Sequence, residues 1–399
     1  MSSIKKNMII KIFIFIIILP IHLYISNDQF SFNECLAGYP NVCIAIGIGT
    51  ILLLLLMPYY LLKNRIYFLL SLSLFLVFII EYLFFRDSTL ILRSIKSFLP
   101  FLFLLSFLSM RSNIQLNNKS IKFYLEKYIP YILVLFQIII IISTTKFFEN
   151  RSEIFFLMTA EGSERHPNFL INTFKIYNYN QYFSFILVLV SGVRIFVSTR
   201  KIEILFFILV MIYGCLDARN YSAFISAIII ILLKILYPFL SKVINVKNLY
   251  RLIGYFFVSL IFLMPIFSFL NEIPSLSDSI NGKHLDTLII RLDRWVYIIS
   301  NLHILNLLSG IYPDPFLIQQ PHNQFLEYVL FFGFIKSAFL IGLIYFMISK
   351  ISEIKYFIPI SIILGIGGAI TEIISHLYTS QIIFMYIIFS SYVSRKKSD

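Results

Sequence analysis

Residues 288–300 read LIIRLDRWVYIIS, with Arg291 and Arg294 three positions apart and Trp295 four after Arg291. On a helix that spacing puts all three on one face. Two guanidiniums side by side offer planar, paired donors that match phosphate oxygens. An interfacial helix meets the same pattern, its arginines facing lipid headgroups, Asp293 a local partner and Trp295 at headgroup level. Arg219 lies in CLDARNYSAF, residues 215–224, a very short turn between two apolar runs. It can hold an anion, or pair with Asp217 and snorkel to a surface.

The stretch PHNQFLEYVLFFGFI, residues 321–335, sets Pro321, His322 and Asn323 in front of an apolar run. Proline fits the first turn of a helix, where its missing N–H costs nothing, so the helix is predicted to begin at His322 and Asn323. A helix N-terminus has free N–H groups and a partial positive charge, which favour a bound anion. A neutral imidazole there can take a proton from a hydroxyl nucleophile. A polar cap at a water boundary accounts for the same residues. In AEGSERHPN, residues 160–168, Glu161, Glu164, Arg165 and His166 form either an acceptor-binding surface or a solvated loop. There is no Walker loop, dinucleotide fingerprint, zinc-binding His-Glu-x-x-His or nucleophile elbow, so the chain is expected to use no metal and no cofactor.

These groups need elements to hold them. The chain has 399 residues, 59% hydrophobic and 13% charged, with mean hydropathy +0.87, well outside the range of soluble globular proteins. Apolar stretches of about 17 to 25 residues recur, each long enough to cross hydrocarbon as a helix, and they lack the alternation of barrel strands. The predicted fold is all-α: a polytopic transmembrane bundle of about twelve helices near 8–25, 42–62, 66–85, 89–110, 129–145, 181–199, 204–216, 221–240, 252–270, 327–348, 356–374 and 379–394. The chain is read as one integral membrane domain over 1–399, its first run a retained anchor because no small-residue cleavage site follows.

Net charge is +13, but Lys and Arg are scattered singly at helix ends and form no basic and aromatic patch for nucleic acid. They report topology instead. Lys63, Arg65, Arg111, Lys119, Lys122, Lys127, Arg200, Lys201, Lys242, Lys247, Arg251, Lys350, Lys355 and the tail RKK all fall on one side, which puts both termini in the cytoplasm. Two long segments then lie outside, 146–180 and 271–326, the second between helices 9 and 10. The amphipathic pattern near 288–305 predicts ordered helix there. Glu81, Arg194, Lys234 and Glu372 lie in or near apolar runs and His376 near an outer helix end; such groups face a bundle interior or snorkel at an end. Cys35, Cys43 and Cys215 show no metal spacing, and the first two can pair only in an oxidising compartment. No internal repeat is visible, which counts against a transporter.

Arg219 in LDARNYSAF, Arg291 and Arg294 in RLDRW, Gly310, and His322-Asn323 followed by Gly333 resemble, in this order, the O-antigen polymerase and O-antigen ligase superfamily of bacterial membrane proteins. The resemblance runs from about 180 to 350; earlier residues match only in hydropathy. It implies metal-independent glycosyl transfer at the periplasmic face of the inner membrane. The donor would be an undecaprenyl-diphosphate-linked oligosaccharide and the nucleophile a sugar hydroxyl. It assigns His322, Arg219 and Arg294 to catalysis, the arginines neutralising the diphosphate and His322 orienting or deprotonating the acceptor. Arg291, Asn323, Trp295 and Arg165 would bind substrate, and a chain-length regulator protein is a further implied partner. Lys336 stands three after Gly333, where ligases tend to carry a second glycine, and the stretch from Arg294 to His322 is short for a ligase. Both departures favour the polymerase. The reading requires Arg219, Arg294 and His322 to converge on one pocket.

Overall fold

The first apolar run does not continue as one helix. In the computed structural model, α1 spans Ser3–Ile18, and Pro20 follows directly; a proline disfavours helix in the residue before it and cannot carry the helix on. Strands β1 (His22–Ser26) and β2 (Cys43–Gly47) then pair antiparallel, with His22 opposite Gly47 and Ser26 opposite Cys43. The residues described are 3–18, 22–26, 43–73, 76, 99–109, 118–147, 180–217, 220–242, 245–270, 291–292, 295–300, 323–370, 373 and 377–390. Among them everything else of regular structure is helical, so the all-α expectation holds for the bundle and the hairpin is an addition to it. The helices expected over 8–25 and 42–62 are each shortened by one of its strands.

By its internal contacts the chain forms two units. One comprises 1–71, 102–220 and 377–385; the other comprises 72–101, 221–376 and 386–399. The first contains α1, α2 (Ile48–Leu62), most of α3 (Leu99–Ser109), α4 (Asn118–Phe123), a π-helical turn at Tyr124–Tyr128, α5 (Ile129–Phe147), α6 (Asn180–Val197) and α7 (Lys201–Asp217). Residues 65–73 are also helical, within the helix expected over 66–85. The π-turn has a local cause. Pro130 has no N–H to give to the carbonyl of Glu126, and its ring would crowd that carbonyl in an α-helix. The backbone widens instead, with the N–H of Ile129 reaching Tyr124 O. In helix α6 the residues Phe183–Val193 are buried throughout, as expected of a segment in which only Ser184 and Ser191 interrupt the apolar run.

The second unit contains α8 (Tyr221–Leu240), α9 (Val246–Leu270), α10 (Gln324–Phe332), α11 (Phe334–Ser349) and α12 (Ile354–Ile370). Helix α13 (Leu377–Ser390) closes the chain and contributes to both units. Helix α12 is central: every residue from Tyr356 to Ala369 is buried. It packs closely on α9 because small residues face the contact. A Cβ on Gly365 would come within 2.1 Å of Phe257 O, and one on Gly254 within 2.3 Å of Phe357 Cε1, so the two backbones touch through glycine, as small-residue seams allow. The buried stripe of α9, Val246, Tyr250, Gly254, Val258, Ile261, Pro265 and Ser268, repeats at three to four residues.

Among the described residues α8 and α9 are long and apolar enough to cross a membrane. Their outer faces expose large apolar side chains, including Ile225, Leu232 and Ile235 on α8 and Leu252, Phe256 and Phe267 on α9. The helix expected over 327–348 is instead two helices. Gly333 interrupts it with φ 80° and ψ 165°, a region open to glycine and strained for other residues.

Candidate functional site

Helix α10 opens at Gln324, just past the expected opening at His322 and Asn323, and Asn323 is its cap. Asn323 is extended, with φ −144° and ψ 127°, and its Oδ1 accepts from the N–H of Leu326 at 3.0 Å, satisfying one orphan donor of the first turn. Its amide nitrogen donates to Ala369 O at 3.0 Å and to Ile261 O at 3.1 Å. One buried side chain thereby ties the start of α10 to the end of α12 and the middle of α9. Asn323 was expected among the substrate-binding residues; these three bonds instead employ both of its amide hydrogens and its oxygen.

Arg291 reaches the same place from the long segment between α9 and α10. Its Nη1 donates to Ile370 O at 3.1 Å. The last carbonyls of an α-helix have no intrahelical donor and carry a partial negative charge, so a guanidinium is a favourable cap there. Residues 291–292 and 295–300 are helical, as the amphipathic pattern predicted. Trp295 and Ile298 share the buried face with half-buried Arg291, while Tyr297 and Ser300 face out. Trp295 has 0% exposure, so its ring packs against protein; burying the indole outweighs leaving it exposed.

One turn into α10 from Asn323, a carboxylate is also buried. Glu327 is 8% exposed, and its Oε2 accepts from the amide of Gln324 at 2.8 Å. Gln324 is itself 0% exposed, and its Cβ would lie 3.7 Å from a Cβ placed on Gly368. Two consecutive residues of α12, Ala369 and Ile370, thus receive Asn323 and Arg291. The available signal was a single acidic residue inside the apolar run 324–335.

In the other unit, Asn220 is fixed just ahead of α8. Its amide donates to Ser184 Oγ at 3.0 Å and its backbone N–H to Cys215 O at 3.0 Å, and both side chains are buried. The same unit holds a polar network at the α6–α7 connection. Arg194 donates from Nε at 2.8 Å and Nη2 at 2.5 Å to Glu203 Oε1, which also accepts from Tyr131 Oη at 2.5 Å; Ser198 Oγ donates to Oε2 at 2.5 Å. Arg194 Nη1 reaches Glu126 O at 3.3 Å, the carbonyl that Pro130 leaves without an α-helical donor. Burial raises the Glu203 pKa, but the hydrogen bonds from Ser198, Tyr131 and Arg194, with the charge of Arg194, outweigh it and bring it down to about 2. Arg194 was expected either to face an interior or to snorkel, and it is paired.

Among the predicted site residues, Arg219, Arg294, His322 and Arg165 lie outside the described residues, as do Cys35, Gly310, Glu372 and His376. The structure brings Arg291 and Asn323 to adjacent carbonyls and places Trp295 in the core beside Arg291. Among the described residues no three His, Cys, Asp or Glu side chains cluster as metal ligands. The chain matches none of the protein-family models, curated proteins or solved structures with which it was compared.

Proposed function

We propose that this chain is an integral membrane glycosyltransferase of about twelve helices, with both termini cytoplasmic and its site at the periplasmic face. More particularly, it is an O-antigen polymerase, joining undecaprenyl-diphosphate-linked oligosaccharide repeat units in a bacterial inner membrane. The observation that carries this reading is the meeting of Arg291 and Asn323 on neighbouring carbonyls at one end of α12. The arginine segment and the histidine helix opening are far apart in sequence, and a shared anchor is what a common site for them needs. The two anchors stand within about 10 Å, the reach of two hydrogen bonds and one residue step. The exposed apolar faces of α8 and α9 support lipid contact.

In this reading Arg294 and Arg219 bind the diphosphate, for which paired guanidinium donors are suited. Stabilising charge on a leaving group is often a large part of catalysis. His322 orients the acceptor hydroxyl or takes its proton. Arg291 and Asn323 hold the two segments together; Trp295 packs beneath them. Deleting the gene is expected to leave lipopolysaccharide with at most one repeat unit on a gel. A persistent chain-length ladder refutes the proposal. A bare core with accumulated lipid-linked polymer identifies a ligase instead, and loss of repeat units from the periplasmic leaflet identifies a flippase.

A further inference from the structure

We infer that the aromatic and basic residues around the π-turn form a binding site for the headgroups of anionic phospholipids; the inference rests on the membrane reading above. Lys11 of α1 sets its Nζ 5.9 Å from the ring centroid of Tyr124, and Lys127 sets its Nζ 5.0 Å from that of Phe123 and 5.9 Å from that of Tyr128. The rings meet in turn: Tyr124 and Tyr128 are 5.8 Å apart between centroids, as are Phe123 and Tyr128. Three rings therefore join two ammoniums in one continuous patch within a single unit.

The backbone builds this patch. In an α-helix residues five apart stand about 140° from each other around the axis, so Phe123 and Tyr128 would face different ways. The π-turn that Pro130 imposes is wider, with the N–H of Ile129 on Tyr124 O, and brings residues five apart nearly into line. Ile121, Leu125 and Ile129 fill the inner face, while Phe123 at 50% exposure, Tyr128 at 48% and Lys127 face outward. Glu126 and Glu203 are half-buried, and Glu203 is taken up by Arg194, Tyr131 and Ser198. The outward face is thus cationic and aromatic.

Charge complementarity chooses the occupant. Exposed rings beside lysines are the pattern of a segment lying at a bilayer surface. An ammonium has three donors and a ring takes up one side of it, which leaves donors for phosphate oxygens. Lys11 stands one turn inside the apolar part of α1, where a long side chain can bring its charge back to the boundary. Lys122 and Lys127 belong to the segment expected on the cytoplasmic side, and a leaflet with anionic lipids attracts such basic segments.

For the test, the detergent-purified protein is titrated with phosphatidylglycerol or phosphatidylcholine of the same acyl chains, and retained lipid is counted by native mass spectrometry. The parent should retain phosphatidylglycerol preferentially. Lys11→Gln combined with Lys127→Gln should weaken that preference about tenfold or more, at about fivefold for each lysine; should the double variant not be recovered, each single variant carries its own share. Phe123→Leu combined with Tyr128→Leu keeps both charges and should weaken the preference about two- to fivefold, because the rings hold the ammoniums in place. Lys242→Gln, at an exposed lysine of the other unit, should match the parent. Equal retention of the two lipids by the parent overturns the inference, as does a parental preference in the lysine variants. A ring variant with parental preference overturns the built site and leaves only diffuse charge. Displacement of phosphatidylglycerol by an equal concentration of inorganic phosphate overturns the lipid assignment in favour of a soluble anion. A parent protein that does not fractionate with cell membranes refutes the membrane reading itself, whatever the variants do.

Discussion

The side-chain amide of Asn323 and the guanidinium of Arg291 bind the carbonyls of successive residues, Ala369 and Ile370. Asn323 also caps α10. Asn323→Ala removes the cap, which contributes about 0.5–2 kcal/mol, and leaves two buried carbonyls without this donor, at about 1–3 kcal/mol each in the worst case. The expected result is a clear fall in the melting temperature of the detergent-purified protein. Asn323→Asp keeps the cap acceptor but sets a carboxylate against two carbonyl oxygens, so it should not rescue. An unchanged melting temperature for both variants would remove Asn323 from this role.

At Arg291 the hydrogen bond from Nη1 to Ile370 O calls for a cation of similar reach. Arg291→Lys should therefore retain most of the polymer yield and Arg291→Ala should lower it together with stability. At Arg294, if paired donors grip a diphosphate, Arg294→Lys should fall close to Arg294→Ala, because lysine keeps charge without the planar fork. Equal, full polymer from Arg294→Ala and His322→Ala at parental protein level would break the site assignment.

The Glu203 network makes stability depend on acid. The carboxyl has an ordinary value of 4.5 and is held near 2 in the folded chain. A lowered folded pKa contributes stability above the unfolded value, and that contribution is lost as pH falls between the two. The parent should lose melting temperature more steeply than Glu203→Gln from about pH 5 down to about pH 3. Arg194→Ala should be more destabilising than the Arg194→Ala, Glu203→Gln double variant predicts from its parts, since it strands a carboxylate. Parallel pH profiles for parent and Glu203→Gln would count against the network.

Two glycines should behave in opposite ways. Gly365→Ala would put a Cβ 2.1 Å from Phe257 O, on backbone that cannot yield, so α9 and α12 must part. A loss of about 1–3 kcal/mol is expected, the usual range for overpacking. Gly342 has nothing within 4 Å of its Cβ position, and Gly342→Ala should be neutral or slightly stabilising, as alanine is the better helix former. Thermal melting of the two variants in one detergent decides this.

How far the sequence reached can be followed element by element. The expected helix over 221–240 coincides with α8, and that over 129–145 lies inside α5, because length and apolar composition are local properties read directly from residues. The helix expected over 252–270 lies within α9, which begins earlier at Val246. The hairpin was missed because β1 and β2 are short apolar runs that carry no period of their own. The break at Gly333 has no other signal in the sequence than a glycine inside an apolar run, which permits one without requiring it.

The amino-acid sequence alone determined which stretches are apolar, where polar groups interrupt them, and that Arg291, Asn323 and Trp295 are worth watching. Only the tertiary structure decided what those groups touch. Arg291 and Trp295 lie one turn apart on the same segment, yet one caps α12 and the other fills the core. Asn323 is spent on carbonyls from α9 and α12, and Glu327 accepts from Gln324 one turn back on its own helix. The physical reason is that propensity and periodicity act over a few residues, whereas hydrogen-bond satisfaction in a dry interior is set by whichever distant carbonyl or amide the packing brings within about 3 Å.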